Sequence, residues 1–293
     1  MNRVPIKSPP GDWKHVLPRP ADSFRTENDG PFRRIFYRHP LRPDSSALSG
    51  QRILFFSDLH LRPQPAACFP RRLRWQGAQL IRDFLLDTVQ KYHPDHIFFG
   101  GDAIAYLCTF GECLELFREL RCPGLKLGVC GNWDLLNRWL SQRYLQDRFR
   151  KEAGLRLLAN EAVSSGSLRV FGFEDIRRAS PEYQSAPRRA PFECILAHNP
   201  DTIPLSMTPD QLKSVDLILC GHTHGGQIRI PLFGALATSS KFWKRFEYGL
   251  YENRRTGTRM LITAGLGVTF IRRRIFCPPE AVIIDLIPDP DAR

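Results

Sequence analysis

Five short apolar runs each end in a cluster of residues that could bind a metal ion. Ser57-Asp58-Leu59-His60 follows RILFF (Arg52–Phe56), and Gly100-Gly101-Asp102 follows HIFF (His96–Phe99). Gly131-Asn132-Trp133-Asp134 follows KLGVC (Lys126–Cys130), and His198-Asn199-Pro200 follows CILA (Cys194–Ala197). Gly221-His222-Thr223-His224-Gly225-Gly226 follows LILC (Leu217–Cys220). Carboxylates, imidazoles and an amide oxygen suit divalent ions such as Mn2+, Fe2+ or Zn2+, and the lack of thiolates speaks against a structural zinc site. In an extended segment His222 and His224 share one face, and the glycines beside them permit the tight turn that aims both rings inward. A central aspartate can bridge two ions ~3.5–4 Å apart, the arrangement that clamps both oxygens of an in-line phosphoryl displacement. A Gly-Asp after a strand is commonly just a turn, and a lone histidine at a strand end is commonly a core residue. Five such clusters in succession are not.

These groups need a scaffold that delivers them to one place. The runs are four or five residues long and rich in branched and aromatic side chains, as buried strands are. LRVFG (Leu168–Gly172), RMLIT (Arg259–Thr263) and AVIIDL (Ala281–Leu286) read the same way. Ala78, Ile81, Leu85 and Val89 fall on one helical face, and Leu114, Phe117 and Leu120 on another. Strands alternating with helices predict an α/β or layered αββα domain, whose site lies beyond the carboxyl ends of the strands. Residues 1–32, rich in Pro and charge, are expected to form an irregular N-terminal extension, with Arg33–Pro40 a short edge strand. The domain is placed at 33–287 and a tail at 288–293, with no internal repeat and no linker.

The chain has 293 residues and a formal net charge of +12, from 42 Lys+Arg against 30 Asp+Glu. Its 42 % hydrophobic content and 20 Phe exclude general disorder. No apolar stretch approaches the ~18 residues of a membrane-spanning helix. The basic surplus predicts affinity for phosphates, nucleic acid or an anionic membrane without choosing among them. Cys130, Cys194 and Cys220 sit inside apolar runs, as buried reduced thiols do. With no apolar signal-like region near the N-terminus, a cytoplasmic location is expected.

The motif series resembles that of the calcineurin-like metallophosphoesterases: D-x-H, G-D, G-N-[H]-D, H and G-H-x-H. The resemblance covers residues 33–287 and implies a four-layer αββα sandwich with a dinuclear metal site. It implies that Asp58, His60, Asp102 and His224 hold one ion, and that Asp102, Asn132, His198 and His222 hold the other. Asp102 is then the bridge, and Asp102, Asn132 and His198 are the residues expected to serve catalysis. Mn2+ is the expected metal, with Fe2+ or Zn2+ as alternatives. GHTHGGQIRIP, Thr263-Ala264-Gly265-Leu266-Gly267, Arg274 and Pro279-Glu280 resemble a bacterial branch that includes UDP-2,3-diacylglucosamine diphosphatases of lipid A synthesis.

One position departs from the family pattern. Trp133 stands where most members carry a histidine thought to protonate the leaving group, and an indole cannot deliver a proton at neutral pH. An alkoxide needs that proton, whereas a leaving phosphate monoester does not, because its second pKa is about 6. A pyrophosphate substrate is therefore favoured over an alkyl diester, with UDP-2,3-diacylglucosamine, cleaved to UMP and lipid X, as the leading case. Trp133 and Arg274 are expected to bind substrate. Arg272-Arg273-Arg274 and the Lys241–Phe246 segment are candidate contacts for phosphates or an anionic inner-membrane surface, and Arg62–Trp75 for a cap over the site. A generic phosphodiesterase or nuclease on the same centre, or a metal-binding protein without activity, are the alternatives. Nucleic acid is disfavoured by the lack of a continuous basic, aromatic-lined motif.

Overall fold

Strands with every residue buried, such as His96–Phe99, Phe192–Ala197 and Leu217–Cys220, form the interior of two sheets. Side chains covered on both faces are what parallel strands between layers require. The computed structural model describes residues 5–16, 24–62, 77–106, 109–136, 140–186, 190–269 and 272–289. The first sheet runs β2 (Phe24–Asp29), β3 (Phe32–Leu41), β16 (Glu280–Pro288), β4 (Arg52–Phe56), β5 (His96–Phe99), β6 (Lys126–Val129) and β7 (Arg156–Leu158). The second runs β1 (Trp13–Val16), β14 (Gly249–Asn253), β15 (Arg259–Ile262), β11 (Leu217–Cys220), β10 (Phe192–Ala197), β9 (Leu168–Gly172) and β8 (Glu161–Ser165). A short hairpin joins β12 (Arg229–Ile230) to β13 (Gly234–Ala235).

Three hydrophobic cores separate four layers. Between the sheets pack Tyr37, Phe55, Phe98, Val170, Leu196, Leu219 and Ile284. Outside the first sheet lie α1 (Gly77–Tyr92), α2 (Phe110–Glu119) and α3 (Gln142–Ala153), with Ile81, Phe84, Leu85, Phe117 and Phe149 turned inward. Outside the second lie the short α4 (Thr202–Ser206) and α5 (Pro209–Leu212), over Phe171, Ile195 and Ile218. The expected αββα sandwich is the observed one.

The N-terminal expectation needs correction. Residues within 1–32 are not simply irregular, because β1 pairs with β14 and β2 pairs with β3, so this segment extends both sheets. Arg33–Pro40 is not an edge strand, since β3 runs from Phe32 to Leu41 between β2 and β16. Its signal was obscured because alternate residues include Arg34, a buried guanidinium held by Glu27, Asp29, Asp87 and Thr88. Apart from Arg62, the stretch expected to form a cap lies outside the described residues.

Candidate metal centre

The carboxyl ends of β4, β5, β6, β10 and β11 converge, and each carries its motif. The backbone turns sharply there: Asp58, His60, Asp102, His222 and His224 all have positive φ, between 42° and 70°. Such conformations are uncommon for residues other than glycine, and they persist where surrounding contacts over-determine them. Here the Asp58 and His60 N–H groups donate to the carbonyls of Gly101 and Asp102 at 2.8 and 3.0 Å, tying the first loop to the second.

Two buried triads result, Asp58–His60–His224 and Asp102–His198–His222. In the first, His60 Nε2 lies 3.1 Å from His224 Nε2, and Asp58 Oδ1 lies 3.4 Å from His224 Nε2. In the second, His198 Nε2 lies 3.1 Å from His222 Nδ1, 3.2 Å from Asp102 Oδ2 and 3.3 Å from Asn132 Oδ1. Asp102 Oδ2 is also 3.4 Å from His60 Nε2, so one carboxylate oxygen reaches both triads. Facing imidazole nitrogens and carboxylates, all shielded from water, are a poor arrangement for protons alone and a good one for cations. The donor set would suit two divalent ions, and Asp102, which reaches both triads, would be the shared group. All seven ligands expected from the sequence are brought together.

Other groups hold these ligands in place. His198 Nδ1 lies 2.8 Å from the Gly100 carbonyl, which selects the tautomer leaving Nε2 free for a metal. Asp58 accepts hydrogen bonds from the Ser57 hydroxyl and from the His222 N–H. A Cβ added at Gly131 would lie 2.0 Å from Asp102 Oδ1, and one at Gly221 would lie 2.4 Å from Asp58 Oδ2, so neither position has room for a side chain. Burial raises Asp58 to about 6, with Asp102 adding to the shift. Burial also opposes charge on His198, but Asp102 and Asp58 outweigh it and hold the imidazole up at about 10. A cation bound to the same carboxylates would compete with that proton.

The two expected substrate-binding residues differ. Trp133 donates its backbone N–H to Asp102 Oδ1 at 2.8 Å, and its indole stands edge-on to His60 with ring centroids 5.2 Å apart. It belongs to the site. Arg274 is engaged by the protein itself: its guanidinium donates to the carbonyls of Ala264 at 2.7 Å and Gly267 at 2.6 Å, reaches the His224 carbonyl at 3.3 Å, and lies 3.3 Å from His224 Nδ1. It fastens the loop that backs His224, because five forked donors suit converging carbonyls. Of its neighbours, Arg272 and Arg273 are exposed.

Two groups escaped the sequence reading. Asp175, beyond β9, is buried, and its Oδ2 has no hydrogen-bond partner. Burial raises its pKa, which His198 partly offsets. Exposed Arg177 donates to the Ser239 carbonyl at 2.6 Å, while the Ser239 hydroxyl donates to the His222 carbonyl at 2.9 Å. Neither follows a motif. The only signal in the sequence was that FEDIRR follows the LRV strand, whose end faces the same way as the others.

A model of the calcineurin-like phosphoesterase family matches residues 51–226, more than half of the chain. The chain is 29 % identical over 249 residues to the uncharacterised metallophosphoesterase YkuE of Bacillus subtilis, covering 81 % of this chain and 79 % of that one. It is 27 % identical over 242 residues to phosphodiesterase YaeI of Escherichia coli, covering 80 % and 82 % respectively. Among solved structures, a dimetal phosphatase from Danio rerio covers 74 % of this chain and 88 % of its own, at 12 % identity and a TM-score of 0.43. The chain belongs to the calcineurin-like metallophosphoesterases and is a metal-dependent phosphohydrolase.

Proposed function

We propose that the enzyme cleaves a phosphodiester or pyrophosphate bond whose leaving group needs no proton, with UDP-2,3-diacylglucosamine as the leading substrate, giving UMP and lipid X. The observation that carries this reading is Trp133 set edge-on against His60, at the position where the family pattern has an acid. Two divalent ions, Mn2+ in preference to Fe2+ or Zn2+, would polarise the phosphoryl oxygens and activate water. Asp58, His60 and His224 would hold one, Asn132, His198 and His222 the other, with Asp102 shared. The indole can shape the cleft and donate one hydrogen bond, but it cannot transfer a proton. Arg177, exposed and linked to the His222 carbonyl through Ser239, takes the phosphate-binding role expected of Arg274.

A phosphodiester reading gains support from YaeI, a relative named as a phosphodiesterase. A lipid-linked substrate gains support from the surface beside His224. There Leu232 (103 % exposed), Phe233, Leu236 and Phe276 stand in water near Arg272 and Arg273. The segments are joined, since Arg229 donates its N–H to the Ile275 carbonyl at 2.9 Å and Lys244 donates to the Phe233 carbonyl at 2.8 Å. Apolar tips ringed by cations suit peripheral contact with the anionic cytoplasmic face of an inner membrane. No helix among the described residues is long and apolar enough to cross a membrane.

The test is product identification with Mn2+-supplemented enzyme on UDP-2,3-diacylglucosamine and on bis-p-nitrophenyl phosphate. UMP release abolished by His222→Ala is the expected result. Turnover of the diester alone would move the assignment to a general phosphodiesterase, and turnover of neither would remove the catalytic reading. Trp133→His should raise activity on alkyl diesters more than on the pyrophosphate.

A further inference from the structure

Among the described residues, the space between the two sheets is filled by large side chains along most of its length but not at the β1 and β2 edges. There a cleft of about 690 Å³ opens. Val16, Leu250 and Leu261 form one wall, on β1, β14 and β15, and Phe24, Ile35 and Val282 form the other, on β2, β3 and β16. That volume and apolar lining are those of a small-molecule site.

The polar groups in the cleft are unequal in a way that selects a ligand. Its two carboxylates are already satisfied. Glu280 accepts from the Tyr248 hydroxyl at 2.8 Å, the Ala264 N–H at 3.1 Å and the Thr263 hydroxyl at 3.2 Å, and Glu247 pairs with Arg229 at 3.2 Å. Its donors are not. Arg33 and Trp13 both line the cleft, and their buried Nε and Nε1 have no hydrogen-bond partner among the described residues. Unspent buried donors call for an acceptor from outside the chain. Lys244 and Arg245 add positive charge to the lining, beside a Trp243 that is 57 % exposed.

We propose that this cleft binds a single-chain anionic amphiphile, its hydrocarbon tail lying between the sheets and its carboxylate or phosphate head on Arg33 and the Lys244–Arg245 rim. The site is distinct from the metal ligands. It continues the exposed apolar surface, because Lys244 of its lining donates to the Phe233 carbonyl, so a chain could pass from a lipid surface into the protein.

The test is titration of the full chain with palmitate, myristate, laurate and dodecyl phosphate below their micellar concentrations, followed by calorimetry and native mass spectrometry. Saturable binding of one molecule per chain is expected. Each two-carbon shortening should weaken binding roughly tenfold, as burial of methylenes requires. Laurate and dodecyl phosphate carry chains of equal length, so their relative affinities distinguish a carboxylate from a phosphate ligand. Arg33→Gln should weaken both about tenfold without changing the chain-length dependence, and cetyltrimethylammonium should not compete. Thr26→Trp, on the exposed edge strand β2 and in the cleft lining, should block binding at an unchanged melting temperature. Absence of saturable binding, independence of chain length, or wild-type affinity in Arg33→Gln overturns the proposal. If Thr26→Trp lowers the melting temperature, Arg33→Gln alone decides. No arm measures hydrolysis, so the result stands apart from the catalytic assignment.

Discussion

The Asp134 carboxylate holds the backbone of Asp102: its Oδ2 accepts the Asp102 N–H at 2.8 Å and the Gly131 N–H at 2.9 Å. Its Oδ1 accepts the Ile104 N–H at 3.0 Å. The final residue of the G-N-x-D motif thus fixes the loop carrying the shared carboxylate without itself belonging to either triad. Asp134→Asn keeps the volume but turns an amide NH2 toward at least one backbone N–H. Metal affinity, measured by titration calorimetry with Mn2+, should fall ~10–100-fold, the usual effect of losing a group that orients a ligand. Excess Mn2+ should restore much of the turnover. Unchanged affinity would show that the Asp102 loop is rigid without this brace.

Steric room makes a sharper prediction at glycine. Gly131→Ala should abolish metal binding, since the added carbon would lie 2.0 Å from Asp102 Oδ1 and cannot be accommodated without moving it. Gly111 supplies the control. It sits in α2, where an added Cβ would meet nothing within 4 Å, so Gly111→Ala should leave metal binding intact and stabilise by up to about 1 kcal/mol. Calorimetric metal titration and thermal melting of the two variants check both halves.

The two arginines should separate kinetically. Arg177→Gln removes an exposed cation near His222 and should raise KM about tenfold with kcat little changed, as loss of uniform substrate binding does. Arg274→Gln instead frees the Ala264 and Gly267 carbonyls and loosens the loop behind His224. It should lower the melting temperature and weaken metal binding. A pure KM effect in Arg274→Gln would return that residue to the substrate.

What the sequence made legible was local. An apolar run ending in a polar cluster states both a strand and the groups at its end, so β4, β5, β6, β10 and β11 and their five clusters could be read directly, and the family resemblance then implied the seven candidate ligands. Residues whose role depends on long-range pairing could not. β1 and β2 are polar edge strands whose periodicity is weak, and they exist because β14 and β3 offer backbone partners. Arg274 looked free to meet substrate because nothing in RRRIF reveals that the carbonyls of residues 264 and 267 converge on it. Asp175 and Arg177 enter the site only because β9 lies parallel to β10.

His39 gives the pH dependence of stability a specific source outside the metal centre. It is 4 % exposed on β3, with Nδ1 3.0 Å from the Tyr37 hydroxyl and its ring edge-on to Phe192. Arg259, whose charge acts on it, donates to the same hydroxyl at 3.1 Å. Burial, and then the Arg259 charge, lower the imidazole pKa to about 3. Because the folded state resists a proton that the unfolded chain accepts near pH 6.5, acid favours unfolding. This contribution is absent above pH 6.5 and grows by roughly 1.4 kcal/mol per pH unit until the folded group titrates near 3. His39→Gln removes it. Between pH 7.5 and 5 the wild type should therefore lose roughly 2 kcal/mol more stability than the variant, a difference that denaturant unfolding at matched metal concentration measures. Acid effects on the metal ligands are common to both proteins and cancel. Parallel pH profiles would mean that water reaches His39 in the folded state and that the Tyr37–Phe192 packing does not exclude it.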